Sequence, residues 1–199
     1  MTIALDAERI LIATEDVLRR HGPSKATVVD VARALGVSHA AVYRYFPSKA
    51  ALREAVTRRW LGRGIDELAA IAADSQRRPP ERLRAWLTEL HQVKRRRSAT
   101  EPEMFATFGA LAAENNAVPV AHVAELLGQL ESIVAAGIAG GDFARTDPAT
   151  AARAVFTATA AFHHPAHASE WLRPGRDALL ADVCTLVVNG LRPGSAADH

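Results

Sequence analysis

The sequence predicts an all-α protein of about nine helices, and three observations predict it. Apolar residues recur at helical spacing along most of the 199 residues. Glycine and proline fall between the periodic segments rather than inside them. No alternating run rich in valine, isoleucine and aromatics marks a strand, while abundant alanine suits closely packed helices.

The first helix is predicted over 6–21. Ile10, Leu11, Thr14, Val17 and Leu18 form its apolar stripe, Glu8, Arg9, Glu15, Asp16 and Arg19 lie off it, and Gly22-Pro23 stops it. Thr27 caps a second helix whose inner face is Val28, Val31, Ala32 and Leu35. Asp30 in its first turn complements the helix dipole, and Gly36 ends it in left-handed backbone. Ser38 caps a short third helix over 39–46, with Val42 and Phe46 facing inward. Pro47-Ser48 breaks and recaps the chain, and a fourth helix runs from Lys49 into the sixties on Leu52, Ala55, Val56 and Trp60.

Five more helices are predicted over 80–97, 104–115, 120–137, 148–163 and 176–191. Residues 74–80 and 98–102 read as links. A glycine-rich connection over 137–147 ends in Thr146-Asp147-Pro148, a cap followed by proline at the first helical position. Residues 164–175 read as a loop, and the last eight residues are expected to fray.

Hydrophobic residues at 49% and charged residues at 23% exclude wholesale disorder. Uninterrupted apolar runs stay far below the ~18 residues that cross a bilayer, and residues 1–20 show no secretory pattern. A single cysteine, Cys184, cannot staple a fold or complete a Cys-rich zinc site, and reads as a packing residue. The expectation is a cytoplasmic protein with an apolar core, no membrane partner and no cofactor. Net charge is +2, divided as +4 over residues 1–60 and −2 over the rest. A basic head on a mildly acidic remainder suits a nucleic-acid reader joined to a part that senses another signal; a solvated basic surface gives the same excess.

The informative stretch is TVVDVARALGVSHAAVYRYFPSK, residues 27–49. Two short helices joined by Leu35-Gly36-Val37-Ser38 form a tight helix-turn-helix: Gly36 permits the turn, Val37 plugs the angle and Ser38 caps the second helix. That helix turns His39, Ala40, Ala41, Tyr43, Arg44 and Tyr45 outward. Small residues allow close approach to a major groove, and polar side chains reach base edges. Tyr43 and Lys49 suit phosphate contacts, which set register and supply salt-dependent affinity. A plain helical hairpin shares this spacing.

With its amphipathic first helix, Thr27-Val28-Val29-Asp30-Val31-Ala32, Leu35-Gly36-Val37-Ser38, Val42-Tyr43-Arg44-Tyr45-Phe46 and Lys49-Ala50-Ala51-Leu52, the stretch 8–60 resembles the N-terminal domain of the TetR/AcrR family of bacterial transcriptional regulators. Val42 stands where the family usually has Leu or Ile, and Tyr45 where it often has His. The resemblance implies a three-helix helix-turn-helix DNA-binding domain over 1–60 and an all-α effector-binding and dimerisation domain over 61–199. It implies a homodimer on a pseudo-palindromic, double-stranded DNA operator, released by an unidentified small-molecule effector and acting as a repressor rather than an activator. Carried over, Ser38, His39, Ala40, Ala41 and Arg44 fall where the family reads bases, and Thr27, Tyr43 and Lys49 where it grips phosphates.

The remaining signals leave choices open. Trp86, His91, Phe105, Phe108, His122, Phe143, Phe162 and His163 are candidates to line an effector cavity, or they pack the core. Val155, Ala158 and Phe162 on one helix, with Leu179, Val183, Leu186 and Val187 on another, are dimerisation candidates or are buried within one subunit. No metal site is expected, although Glu114, His122, His164 and His167 offer ligand chemistry for a metal-responsive regulator. Lys94-Arg95-Arg96-Arg97 either draws an anion or complements a helix end. Paired Glu-x-x-His, His-Glu-x-x-His, Gly-x-Ser-x-Gly and P-loop patterns are absent, so an enzyme is not expected. A helical protein-interaction adaptor is the other alternative.

Overall fold

The computed structural model describes residues 5–193 and contains ten α-helices and no strand among them. In chain order they are α1 Ala7–Lys25, α2 Val28–Leu35, α3 His39–Tyr43, α4 Lys49–Gly62, α5 Ile65–Ala73, α6 Pro79–Thr100, α7 Pro102–Ala113, α8 Ala117–Ala139, α9 Pro148–Ala158 and α10 Arg176–Leu191. Two 3-10 turns, Ala160–Phe162 and Pro165–Glu170, precede α10. The expected fraying of the last eight residues lies, from residue 194 on, outside the described residues.

The chain divides into two compact units. The first joins the N-terminal residues through Arg63 to Arg97–Val120. Ile10, Val17, Val31, Val42, Leu52, Val56 and Trp60 are buried in it together with Met104, Phe105, Phe108 and Leu111 of α7. The second takes Gly64–Arg96 and the residues from Ala121 on. Leu83, Trp86, Leu90, Leu126, Leu130, Ile133, Phe143, Val155, Phe162, Leu180, Cys184 and Val188 share its core.

Several predicted boundaries shift for local reasons. Gly22 breaks α1 as expected, at φ 73°, and Pro23–Lys25 forms a final turn beyond it. The reading helix α3 ends at Tyr43, because the Val42 carbonyl accepts from both Tyr45 N–H (3.0 Å) and Phe46 N–H (3.1 Å) and closes a tighter turn. Gly64, at φ 118°, ends the helix that was expected to run into the sixties and opens α5, which was not predicted; Asp66 and Glu67 sit in its first turn. α6 continues through 98–100, part of a predicted link. After α9 the chain tightens, because the Ala161 carbonyl is taken by Trp171 Nε1 (3.0 Å) and Arg176 (2.9 Å). α8 is long and apolar enough to cross a membrane by length and composition, yet Leu126, Leu130, Ile133 and Val134 on it are buried in the protein.

Candidate nucleic-acid interface

The helix-turn-helix is held by its caps. Thr27 and Asp30 form a reciprocal capping box on α2: Thr27 Oγ1 accepts from Asp30 N–H (3.2 Å), and Asp30 Oδ2 accepts from Thr27 N–H (3.1 Å). The Thr27 hydroxyl also donates to Asp30 Oδ2 (2.6 Å), and this bond lowers the Asp30 pKa. Gly36 adopts left-handed backbone (φ 67°, ψ 29°), and the N–H groups of Gly36 and Val37 return to carbonyls at the end of α2. A side chain at Gly36 has room but not the backbone angle. Ser38 and Ser48 cap α3 and α4 by accepting from Ala41 N–H (3.2 Å) and Ala51 N–H (3.0 Å).

These turns bury Val42 completely and half-bury Phe46, so the opposite side of α3 faces solvent. Ser38, His39, Ala40, Tyr43, Arg44, Tyr45 and Lys49 are exposed and Ala41 is half-buried. The His39 and Tyr43 rings meet edge to face, 6.3 Å apart. Tyr45 has a further task, since its hydroxyl donates to the Leu5 carbonyl (2.6 Å) and ties the residues before α1 to the turn after α3. The Thr27 hydroxyl proton is engaged by Asp30. The exposed surface combines small groups, hydrogen-bonding groups and cations within one short helix and the start of the next.

Sequence reasoning missed what holds α4. Glu15, expected on the outer side of α1, is 4% exposed. Its carboxylate accepts from Arg59 (2.5 Å) and Arg63 (3.0 Å) of the α4 end, and Arg59 also reaches Glu8 (2.8 Å). Those guanidiniums supply the charge that lets a carboxylate stay buried. Just before α7, Glu101 accepts the indole N–H of Trp60, while the Arg97 guanidinium of α6 lies 4.8 Å from the Trp60 ring centre and donates to its carbonyl (3.0 Å). Glu101 fell in the stretch 98–102, which was read as a link and carried no sign of this contact.

The structure divides the effector-cavity candidates between the units. Phe105 and Phe108 surround Trp60 in the first, with ring centres 6.2 and 6.1 Å away. Trp86, His91, His122, Phe143, Phe162 and His163 belong to the second, and all are buried. Trp86 Nε1 donates to Gln129 (2.9 Å), and His91 Nδ1 bonds the Phe162 carbonyl (2.8 Å). His163 bonds the Phe156 carbonyl (3.0 Å), and burial pulls its pKa down to about 4, so it is neutral at pH 7. The buried basic side chains of this unit are His91, Lys94, His122 and His163, and no carboxylate is buried with them among the described residues. Cys184 is buried against α10's neighbours, and burial raises its thiol pKa.

The metal-ligand candidates find other partners: Glu114 receives Arg53, His122 meets Lys94 Nζ (3.1 Å), and His164 accepts from Ala166 N–H (3.3 Å). His167 lies beside His164 with ring centres 6.4 Å apart, and no group of three or more metal-binding side chains forms among the described residues. The basic run after His91 is used internally. Arg95 pairs with Asp177 (2.8 Å) and Arg97 with Trp60. Among the dimerisation candidates, Val155 and Phe162 must be withdrawn: they lie on the inner side of the second unit, 4% exposed each. Ala158, Leu179 and Leu186 are exposed, Leu186 by 71%, while Val183 and Val187 are half-buried, because Leu180, Cys184 and Val188 form the inner face of α10.

Residues 79–184 match the family model described as "Tetracyclin repressor-like, C-terminal domain", and residues 10–56 match "Bacterial regulatory proteins, tetR family". An uncharacterized HTH-type transcriptional regulator of Mycobacterium tuberculosis (strain CDC 1551 / Oshkosh) is 38% identical over 84 residues, covering 42% of this chain and 41% of that protein. The match therefore spans about two fifths of that relative's length. A TetR transcription regulator of Haloarcula marismortui superposes with TM-score 0.71 at 21% identity, over 92% of this chain and 96% of that one. FadR of Bacillus subtilis, solved in complex with stearoyl-CoA, gives 0.68 at 17% identity over 94% and 100%. SmeT, the repressor of a Stenotrophomonas maltophilia multidrug efflux pump, gives 0.70 at 19% over 98% and 94%. At these identities the structures share the fold. The C-terminal model covers more than half of the chain and the N-terminal one sits on α1–α4, and on that basis the chain belongs to the tetR family of bacterial regulatory proteins.

Proposed function

We propose that the protein is a ligand-responsive repressor that binds a pseudo-palindromic operator as a homodimer and leaves it when a small molecule binds. The observation that carries the reading is the outward side of α3 and the start of α4. His39, Ala40, Tyr43, Arg44 and Lys49 stand exposed there on a helix too short to be a core element. In this reading Ser38, His39, Ala40, Ala41 and Arg44 meet base edges, while Tyr43 and Lys49 hold phosphates with Thr27 beside them. One such helix covers only a half-site, so useful specificity takes two copies about one or more duplex turns apart. Ala158, Leu179, Val183, Leu186 and Val187 are the side chains offered to the partner, and their exposure or half-exposure supports that role.

The second unit, Gly64–Arg96 with the residues from Ala121 on, is the effector-binding part. An effector there shifts α4 and so changes the separation of the two reading helices, at a cost of several kcal/mol in operator contacts, on the order of what a population switch needs. The stearoyl-CoA complex of the Bacillus subtilis protein supports a small-molecule input for this fold.

The test is selection of bound fragments from the source genome, followed by operator affinity with and without compounds suggested by the neighbouring genes. Enrichment of a palindrome near the protein's own promoter is expected. Absence of saturable, salt-sensitive binding to any fragment leaves the helical adaptor instead, and equal affinity with and without the true effector removes the release mechanism.

A further inference from the structure

We infer that Glu54, Glu101 and Glu114 are positioning residues for operator reading, because together they make α7 a two-ended clamp on α4. The inference rests on the reading that α3 and the start of α4 meet DNA.

At one end, the Glu101 carboxylate before α7 accepts the Trp60 indole N–H and lies 3.5 Å from the Arg63 guanidinium. At the other, just beyond α7, Glu114 takes both nitrogens of the Arg53 fork (2.7 and 3.3 Å), and Asn116 donates to Glu54 (2.8 Å). The turn that presents these groups includes Asn115 in left-handed backbone (φ 54°), and the Asn116 oxygen also accepts from Val118 N–H (2.9 Å). The two helices therefore run antiparallel, tied at points seven residues apart along α4, about 10 Å.

One tie would leave α4 free to pivot, whereas two fix its tilt. Lys49 lies about 16 Å along the axis from Trp60, so a tilt of about 5° about Trp60 carries Lys49 by ~1.4 Å. Hydrogen bonds hold only over a few tenths of an ångström, so a phosphate contact does not survive that displacement. Only Arg44–Ser48 separate α3 from α4, so the reading helix shares the movement. The Arg53–Glu114 pair is a poor source of stability, since the side chains are 32% and 52% exposed. What it supplies is geometry.

Two effects of opposite sign make this testable. Removing carboxylates from a unit that meets DNA strengthens binding if electrostatics alone matters. Losing the clamp weakens binding to the preferred sequence. The experiment uses the full chain, the duplex it selects from a random pool, and a non-specific duplex of equal length at fixed salt. For Glu54→Ala/Glu114→Ala the expected result is an unchanged melting temperature within ~2 °C, non-specific affinity equal to or above wild type, and specific affinity down about tenfold. Glu101→Met loses specific affinity similarly, and Glu101→Gln, which keeps an acceptor for the indole, restores most of it. Lys49→Ala reports on the DNA-binding reading itself. If it weakens binding while the double variant binds the selected duplex as tightly as wild type or tighter, the clamp inference is overturned and the function stands. Specific affinity, non-specific affinity and melting temperature falling together also overturn it, as a folding effect. Failure of the wild type to select any duplex overturns both.

Discussion

Gly137 lies against Phe143 so closely that a β-carbon on the glycine would stand 2.1 Å from the ring carbon Cδ2. The Gly137 carbonyl accepts from the N–H groups of both Asp142 and Phe143, at 2.9 and 3.1 Å, which folds the ring back onto α8. Phe143 shares the apolar core of the second unit, so neither partner can withdraw cheaply. Gly137→Ala is expected to destabilise the protein by about 1–3 kcal/mol in urea unfolding, as overpacking does. Phe143→Leu introduced into that variant should recover part of the loss, because it removes Cε2 and leaves a smaller branch that can turn its methyl groups away from the added carbon.

Acid should weaken the protein through His163. Its folded pKa of about 4 lies below the ordinary 6.5, so burial favours the neutral ring. Above pH 6.5 the ring is neutral folded or unfolded. As pH falls from 6.5 to 4 the unfolded chain takes up a proton that the folded one refuses, and stability drops. Below 4 this group adds no further slope. The loss is on the order of 3 kcal/mol, from the value of one pKa unit. His163→Gln keeps a donor for the Phe156 carbonyl, and its unfolding free energy should fall less than that of wild type between pH 7 and pH 4.

The capped helices α2, α3 and α4 were more legible than the interior of either unit. Thr27, Gly36, Ser38 and Ser48 act within three or four residues of themselves, so capping rules locate α2, α3 and α4 from local sequence alone. Glu15 was misplaced because its partners Arg59 and Arg63 lie more than forty residues away, and a helical wheel assigns any glutamate to solvent. Val155 and Phe162 carry the same apolar signature whether they face their own core or a partner subunit. α5 was missed as a separate element: the helix from Lys49 was only expected to run into the sixties, since a single glycine, Gly64, is tolerated within a helical pattern until its backbone angle is known.

The buried Glu15 makes α1 and α4 depend on each other. Arg59→Met/Arg63→Met removes both close guanidiniums and leaves only Arg19, at 3.7 Å. A loss of about 3–5 kcal/mol is expected at neutral pH, the cost of leaving a buried charge uncompensated. Glu15→Met should cost less, because the two arginines it frees reach solvent more readily: their side chains are 23% and 44% exposed. Chemical denaturation of the two variants decides the order, and equal losses would mean that packing, not charge, holds the helices.

The proposed dimer is tested at Leu179 and Leu186. Both are exposed, so Leu179→Glu/Leu186→Glu should leave each subunit folded, with unfolding cooperativity retained, while light scattering reports half the wild-type mass. Operator affinity should then fall by more than about tenfold, since two half-sites are no longer held by linked reading helices. A variant that stays dimeric would move the interface away from α10.

Arg44 and Lys49 stand five residues apart, yet the proposed roles predict different signatures. If Arg44 touches a base edge, Arg44→Ala costs about 1–3 kcal/mol on the preferred operator and relaxes selection at one position, because a single base pair loses its discriminating partner. If Lys49 holds a phosphate, Lys49→Ala weakens all sequences alike and lowers the slope of log affinity against log salt by about 0.9. Tyr43→Ala should also weaken all sequences, but with an unchanged slope, since an uncharged hydroxyl displaces no counterion. Sequence selection and salt titration on the three variants distinguish these cases. An Arg44→Ala selection profile identical to that of wild type assigns Arg44 to the backbone, and base reading then falls to Ser38, His39 and the two alanines, with far fewer hydrogen bonds to specify a site.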